Sequence, residues 1–387
     1  MKNDWTIKNL VSNFICFFAF FYPFFIPNFI FAQSFIEDSV SSGTQALGEH
    51  LFVLNPSAHL PAQMEIDLFF TNGFTSNKFE SGNTNIENQS TLNKIGMSIG
   101  FDLGGGLGLG LSHQLVKSEE KNVNTSAGRD EFVETFNGQY STVKAVVELS
   151  ESITAGFMMR FLESEVSLVG SFNTNPGSIT TFKPSLFGSG GGLSAKINKL
   201  RVGAAYLPAM KGKTEIYSEE KIITEPGRVL FSAALQAKQF NAGLVVKRWI
   251  YKQDDRALGT SLDDANQTQI GLYGLNVDRS LIFALEQKQL GVDYFLSTAS
   301  TLKVSLSQMT ADVNADSVNF LPGENSDNPK LSYYVLQALW VIDSKKLRFM
   351  GGISKSFQKS VSYGEGGGQS SYEGDWQELI AGVVAKL

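Results

Sequence analysis

The residues able to do chemistry are few and scattered. Three histidines exist, His50, His59 and His113. His50 and His59 would need a third ligand to hold a metal, and no residue at ligand spacing supplies one. Ser112-His113 offers a nucleophile beside a base, but neighbours in a strand point to opposite faces and cannot pair. Lys211-Gly212-Lys213-Thr214 contains the end of a phosphate loop, yet Leu207 stands where the upstream glycine belongs and no helix follows. Gly104 to Gly110 is glycine-rich like a dinucleotide turn, but a strand pattern continues after it. Asp254-Asp255 and Asp263-Asp264 lack the spacing of a calcium loop and read as solvated surface. The expectation is no metal, no cofactor and no catalysis.

A second set of polar residues is more informative. Glu65, Asp67, Lys94, Asp102, Lys144, Glu148, Arg160, Arg201, Arg228, Asp293, Lys303 and Arg348 all alternate with apolar neighbours. Facing hydrocarbon at mid-membrane, each Lys or Arg would cost about 2–4 kcal/mol, so these residues are expected on the polar inner face of a barrel. Both signs are present, which argues against a strongly ion-selective pore.

The elements that carry them have a period of two. Ile95, Met97, Ile99, Phe101 and Leu103 alternate with Lys94, Gly96, Ser98, Gly100 and Asp102, and Leu379, Ala381, Val383, Ala385 and Leu387 form a similar row at the C-terminus. Such alternation places one set on each face of a strand. Ahead of these strands stand Lys2 and Lys8, then an apolar run from Phe14 to Ala32 broken by Pro23 and Pro27. A basic start, an apolar core and a small residue at the break predict a cleaved secretory signal over 1–32. Its removal takes the only cysteine, Cys16, and leaves 30 Lys and Arg against 37 Asp and Glu. A cysteine-free, mildly acidic chain has no disulfides and no thiolate metal site, and gives no reason to expect nucleic acid as a partner. No further apolar run is long enough for a membrane helix.

Together these features predict an all-β, transmembrane, antiparallel up-and-down barrel over 64–387 in a bacterial outer membrane. The partner expected is membrane lipid; nothing marks an oligomeric state. Candidate strands fall at 64–72, 92–103, 107–116, 136–149, 153–168, 182–197, 200–208, 228–238, 240–252, 268–276, 280–288, 290–297, 301–310, 331–343, 346–358 and 374–387. That is sixteen, and fourteen fits equally well. Either number is even, so both mature termini should lie in the periplasm. Short joints (104–106, 150–152, 198–199, 277–279, 298–300, 344–345) alternate with long polar ones (73–91, 117–135, 169–181, 209–227, 253–267, 311–330, 359–373), with a tight hairpin at 288–290 as the exception. Phe69, Phe70, Phe74, Tyr140, Tyr206, Trp249, Tyr251, Tyr333, Tyr334, Trp340 and Trp376 sit near strand ends, as an interfacial aromatic girdle would. A soluble β-sandwich would alternate as well, but would lack the signal and the asymmetric joints.

Residues 33–63 do not alternate. They contain Gly43-Thr44-Gln45-Ala46-Leu47-Gly48 and then Asn55-Pro56-Ser57-Ala58-His59-Leu60. This stretch resembles the start of the FadL-type family, the long-chain fatty-acid outer-membrane transporters and their hydrocarbon-uptake relatives. Leu290-Gly291-Val292-Asp293-Tyr294 and Thr301-Leu302-Lys303-Val304 look like later strands of the same family. Two departures stand out: Ser57 replaces the usual alanine, and the spacing from Gly48 to Asn55 is short. The resemblance implies a plug folded inside the barrel, carrying Gly43, Leu47, Gly48, Asn55, Pro56 and Ser57; the alternative is a periplasmic leader. Gly188, Gly190, Gly191 and Gly192 fall inside one strand and read as a bulge or bend. The resemblance implies a kink opening the wall sideways; the alternative is simple bending where the strand meets the rim. Three functions remain open at this point: a passive FadL-like transporter of small hydrophobic molecules, a water-filled general porin, and a structural or surface-interaction barrel.

Overall fold

The computed structural model describes residues 55–387 except 62, 82–83, 125–129, 173–174, 217–218, 226, 251–255, 258–270, 273–274, 277–281, 314–329, 358–360 and 364–369. The signal at 1–32, the plug residues Gly43, Leu47 and Gly48, and the acid pairs near 254 and 263 lie outside the described residues. What is described is a closed antiparallel barrel of fourteen strands. In chain order these are β1 (Glu65–Ser81), β2 (Thr84–Asp102), β3 (Leu107–Asn124), β4 (Asp130–Ser150), β5 (Ile153–Phe172), β6 (Ser185–Ile197), β7 (Leu200–Leu207), β8 (Gly227–Gln236), β9 (Phe240–Ile250), β10 (Ile282–Ser297), β11 (Ser300–Val313), β12 (Lys330–Asp343), β13 (Leu347–Phe357) and β14 (Ser370–Lys386). β14 closes on β1 in unbroken register from Glu65↔Lys386 to Ser81↔Ser370. Closure leaves no open strand edge, which a structure in hydrocarbon requires.

The short joints have the chemistry of tight turns. Gly104, Gly105 and Gly106 take φ of 78°, 62° and 76°, and Asn198 takes 55°. Left-handed backbone is easy for glycine and tolerated by asparagine. Leu387 N donates to Met64 O, so β1 begins and the chain ends at the rim that carries these turns.

Alternation separates the two faces. On β2, Ile95 and Met97 are 55% and 56% exposed while Lys94 and Ser98 on either side of them are buried. The outward apolar rows are interrupted at Lys117, Glu163, Arg248 and Lys288, all exposed on the outer face. Eight to ten residues separate them from the short-turn rim; at the usual rise and tilt that is about 25 Å, the height of an apolar membrane band.

The structure corrects the sequence reading in four places. Ile282–Ser297 forms one strand, so the hairpin at 288–290 does not exist: Gln289 pairs with both Val245 and Ser307. β9 pairs directly with β10, which leaves no place in the wall for a strand at 268–276. These two changes turn sixteen strands into fourteen. The supposed loops at 73–91, 117–135 and 209–227 are largely paired strand, and Met210–Ile216 pairs with Glu219–Glu225. Both faces of such ribbons meet water above the membrane, so no apolar rhythm betrays them. The aromatic girdle loses Phe69, Tyr140 and Trp249, which point inward and are 2%, 4% and 2% exposed; Tyr206 and Trp340 do face outward.

Candidate functional site

Asn55–Ala58 forms a turn pressed against the inner wall of β5, β6 and β7. Asn55 Oδ1 accepts from Ser57 N at 3.1 Å and Ser57 Oγ at 2.7 Å, and Ala58 N donates to Asn55 O at 3.0 Å. This is the local bonding that favours Asn before Pro in turns. The turn is then bound to the wall. Asn55 Nδ2 donates to Leu193 O at 3.3 Å and Ser194 Oγ at 3.2 Å; the Ser57 and Ser194 hydroxyls lie 2.8 Å apart; Thr154 Oγ1 donates to Ser57 O at 2.8 Å. Asn55, Pro56 and Ser57 are all buried. Glycines make the seat. A Cβ on Gly156 would collide with the Pro56 carbonyl, one on Gly192 with Asn55 Oδ1, and one on Gly203 would stand 2.7 Å from Asn55 Nδ2. Further on, His59 Nε2 meets Glu65 Oε2 at 2.5 Å, and Glu65 Oε1 lies 3.5 Å from Lys386 Nζ. That contact ties the segment to the β1–β14 seam.

The remaining glycines of β6 do a related job. Gly188, Gly190 and Gly192 face inward. β6 keeps unbroken register with β5 from Ile153↔Ala195 to Glu163↔Ser185, so it is not itself kinked. Its other side is irregular. Pairing with β7 runs to Gly191↔Tyr206 and resumes only at Phe187↔Lys211, across a longer arm at Leu207–Met210. Met210 packs over Gly188 and Leu207 over Gly190, at separations that leave no room for a side chain. Gly191 belongs to the outward phase, and only the Gly156 carbonyl approaches it, at 3.4 Å.

Inside the barrel lie the charges that were expected there, mostly in pairs. Lys303 Nζ donates to Asp293 Oδ2 at 3.1 Å, and Lys94 Nζ is 3.6 Å from Glu378 Oε1. Arg228 Nη2 donates to Glu225 Oε1 at 2.8 Å while Arg160 Nη1 approaches the same oxygen at 3.7 Å. Arg228 and Lys247 both stack near the Trp249 ring, at 5.8 and 5.3 Å. Asp67 and Lys144 are also buried inside. Burial of this kind is tolerated only when the charges are paired and bonded. Asp102 and Glu148 depart from the expectation. They have run past the barrel to the short-turn rim, where Asp102 Oδ1 caps Gly104 N at 2.8 Å and Glu148 is exposed. Arg201 and Arg348 are half-buried at the same rim, the latter bonded to Asp343 at 2.7 Å. Glu225, Lys247 and Glu378 were missed. Lys247 and Glu378 share the inward phase of Val245 and Ile380, a signal that was available; Glu225 lies on the ribbon outside any recognisable alternation.

The larger omission concerns apolar residues. Leu92, Val116, Phe136, Tyr140, Met158, Leu162, Val166, Leu186, Leu207, Met210, Leu230 and Val245 form one cluster on the inner face, spanning β2 to β9. A polar lumen was expected; this arc of it is oily. Met158-Met159 and Phe161-Leu162 put large apolar groups on both faces of β5, which hides the inner set from any two-residue rhythm. His113, by contrast, lies on the membrane-facing side between Leu111 and Leu115 and bonds Ser141 Oγ at 3.0 Å; Ser112 points the other way. Lys211 and Lys213 are exposed on the ribbon. Among the described residues no three potential ligands cluster to hold a metal.

No protein-family model matches the sequence, and neither does any curated protein. The fold has clear relatives among solved structures. A Pseudomonas aeruginosa FadL homologue superposes with a TM-score of 0.63 at 10% identity, covering 93% of this chain and 100% of that one. The Pseudomonas putida toluene transporter TodX gives 0.59 at 11%, covering 87% and 94%. The Ralstonia pickettii toluene transporter TbuX gives 0.57 at 10%, covering 88% and 94%. The whole described chain thus has the barrel architecture of FadL-type channels.

Proposed function

We propose that this chain is an outer-membrane channel through which small hydrophobic molecules pass down their gradient, without cofactor or catalysis. The observation that carries the reading is the apolar inner arc from Leu92 to Val245. A water-filled porin has no use for a dozen oily side chains on its inner wall, whereas an apolar solute needs a lining that does not make it compete with water. Structural neighbours described as toluene transporters and monoaromatic hydrocarbon channels support a ligand of that chemistry.

In this reading residues 33–63 are a plug. Its Asn55–Ser57 turn is held against β5–β7, the short-turn rim faces the periplasm, and both mature termini lie there. A molecule is captured among the extended ribbons, moves along the inner arc past Leu162 and Leu186, and leaves sideways where the β6–β7 ladder lapses beside Gly188–Gly192. Leu207 and Met210 close that point from within and must move to open it.

Single-channel recording of the full chain, with extraction of whatever it carries, tests the reading. The expected result is no large steady conductance and a hydrophobic molecule recovered from the purified barrel. Large steady currents with an empty interior would make it a porin.

A further inference from the structure

The outer wall carries a second feature, opposite the Asn55 turn. Two outward rows cross β5 to β9 there. Nearest the rim run Ile153, Ala195, Val202, Ala233 and Leu244, and above them Leu193, Ala204, Phe231 and Val246. Small residues in the middle and large ones at the sides leave a groove of about 550 Å³ with an almost wholly apolar lining. Its floor is the backbone of Ser194, Gly203 and Ser232. Ser194 and Gly203 turn inward to Asn55, so the groove lies directly behind the seat of the turn.

The groove does not end in bare hydrocarbon. Four residues rimward of Ala195 the β6–β7 turn places Lys199, and the next turn places Lys238; Lys196 precedes them. All three are exposed and none makes an ion pair among the described residues. Glu151 is the one acid on the neighbouring β4–β5 turn. Between the slot and these lysines lies one further outward apolar row, Ile197, Leu200 and Leu235. An apolar slot continued by apolar wall to lysines without ion pairs at the membrane surface matches an amphiphile with one long chain in the slot and an anionic head on the lysines.

We propose that this groove is a specific site for an anionic phospholipid of the leaflet at the short-turn rim. One acyl chain lies over Ala195, Ala204 and Ala233, and the phosphate rests against Lys199 and Lys238. The lipid fills the dent. The site's place in that leaflet rests on the membrane orientation given above; its chemistry does not depend on what passes through the lumen.

Native mass spectrometry of the full chain, released from micelles holding equal phosphatidylglycerol and phosphatidylcholine, tests this. One phosphatidylglycerol should be retained in preference. Lys199→Gln and Lys238→Gln should each lower that retention about fivefold, while Lys345→Gln/Lys346→Gln on another turn should not. Ala204→Trp, which fills the groove from the lipid side, should abolish retention of either lipid; if that variant fails to fold, the lysine variants decide alone. Equal retention of both lipids, or equal loss in the Lys345/Lys346 control, overturns the proposal. So does displacement of the lipid by toluene, which would make the groove part of the exit route. Hydrocarbon uptake measured alongside separates the two readings: lost uptake with lipid retention intact sinks the channel alone, and the reverse sinks the lipid site alone.

Discussion

The inner wall of this barrel has arcs of unlike chemistry. On β10 and β11, reaching Gln337 of β12, it is a hydrogen-bonded polar ladder: Gln289 Nε2 donates to Ser305 Oγ at 3.0 Å, Ser305 Oγ to Gln337 Oε1 at 3.4 Å, and Lys303 to Asp293 beside them. Beyond it a smaller apolar patch, Phe69, Leu339, Val341, Met350, Ile380 and Val384, crosses β12–β14 and β1. From β4 to β9 it is predominantly oil, with Leu162, Val166 and Met210 entirely buried and the charges gathered at Lys144, Arg160, Glu225, Arg228 and Lys247. The polar arc is satisfied by its own partners and asks nothing of a ligand. The apolar arc has no such internal demand, and its chemistry suits an apolar solute. The difference teaches that function in such a barrel is written in an angular sector and not in the lumen as a whole.

The comparison can be broken most forcefully on the polar side. Lys303→Met strands the buried Asp293 carboxylate and should cost about 4 kcal/mol of stability. The double variant Asp293→Leu/Lys303→Met should recover most of that, since well-packed apolar replacements of buried pairs are close to neutral. Urea unfolding in micelles reads both, and the double variant should leave hydrocarbon passage unchanged. On the apolar side Leu162→Ala should cost about 3 kcal/mol by opening a cavity in a fully buried site. Where the arcs meet the plug, Gly192→Ala forces Asn55 off its seat and should cost about 2 kcal/mol. Limited proteolysis should then cut near Asn55 faster than in the parent. Smallest of all, Phe231→Leu on the outer face should shift stability by less than about 1 kcal/mol, because lipid fills what the ring leaves.

How much of this was readable in the sequence follows from what each residue faces. The rows around Ile95–Leu103 and Leu379–Leu387 separate lipid from polar interior, so their strands and phase were legible. Residues 288–290 looked like a turn because Lys288-Gln289 interrupts the apolar rhythm; in the structure Lys288 merely marks the outer edge of the membrane band. Trp249 and Phe69 were misplaced because an aromatic near a strand end suits either the interface or the interior, and composition does not choose. The Asn55-Pro56-Ser57 stretch was visible as a motif, but its seat at Gly156, Gly192 and Gly203 is assembled from three strands far apart in sequence. The oily arc stayed hidden because β5 is apolar on both faces, and alternation is silent when the two faces agree.

The central claim is that the apolar arc, and not the polar one, carries the solute. Accumulation of radiolabelled toluene by cells whose outer membrane contains the chain measures it directly, comparing Leu186→Asp on the oily arc with Ser305→Asp on the polar ladder. Leu186→Asp should abolish the accumulation while Ser305→Asp leaves it near the parent level, at matched amounts of folded barrel. Equal accumulation in both variants and the parent, or loss with Ser305→Asp alone, would contradict it.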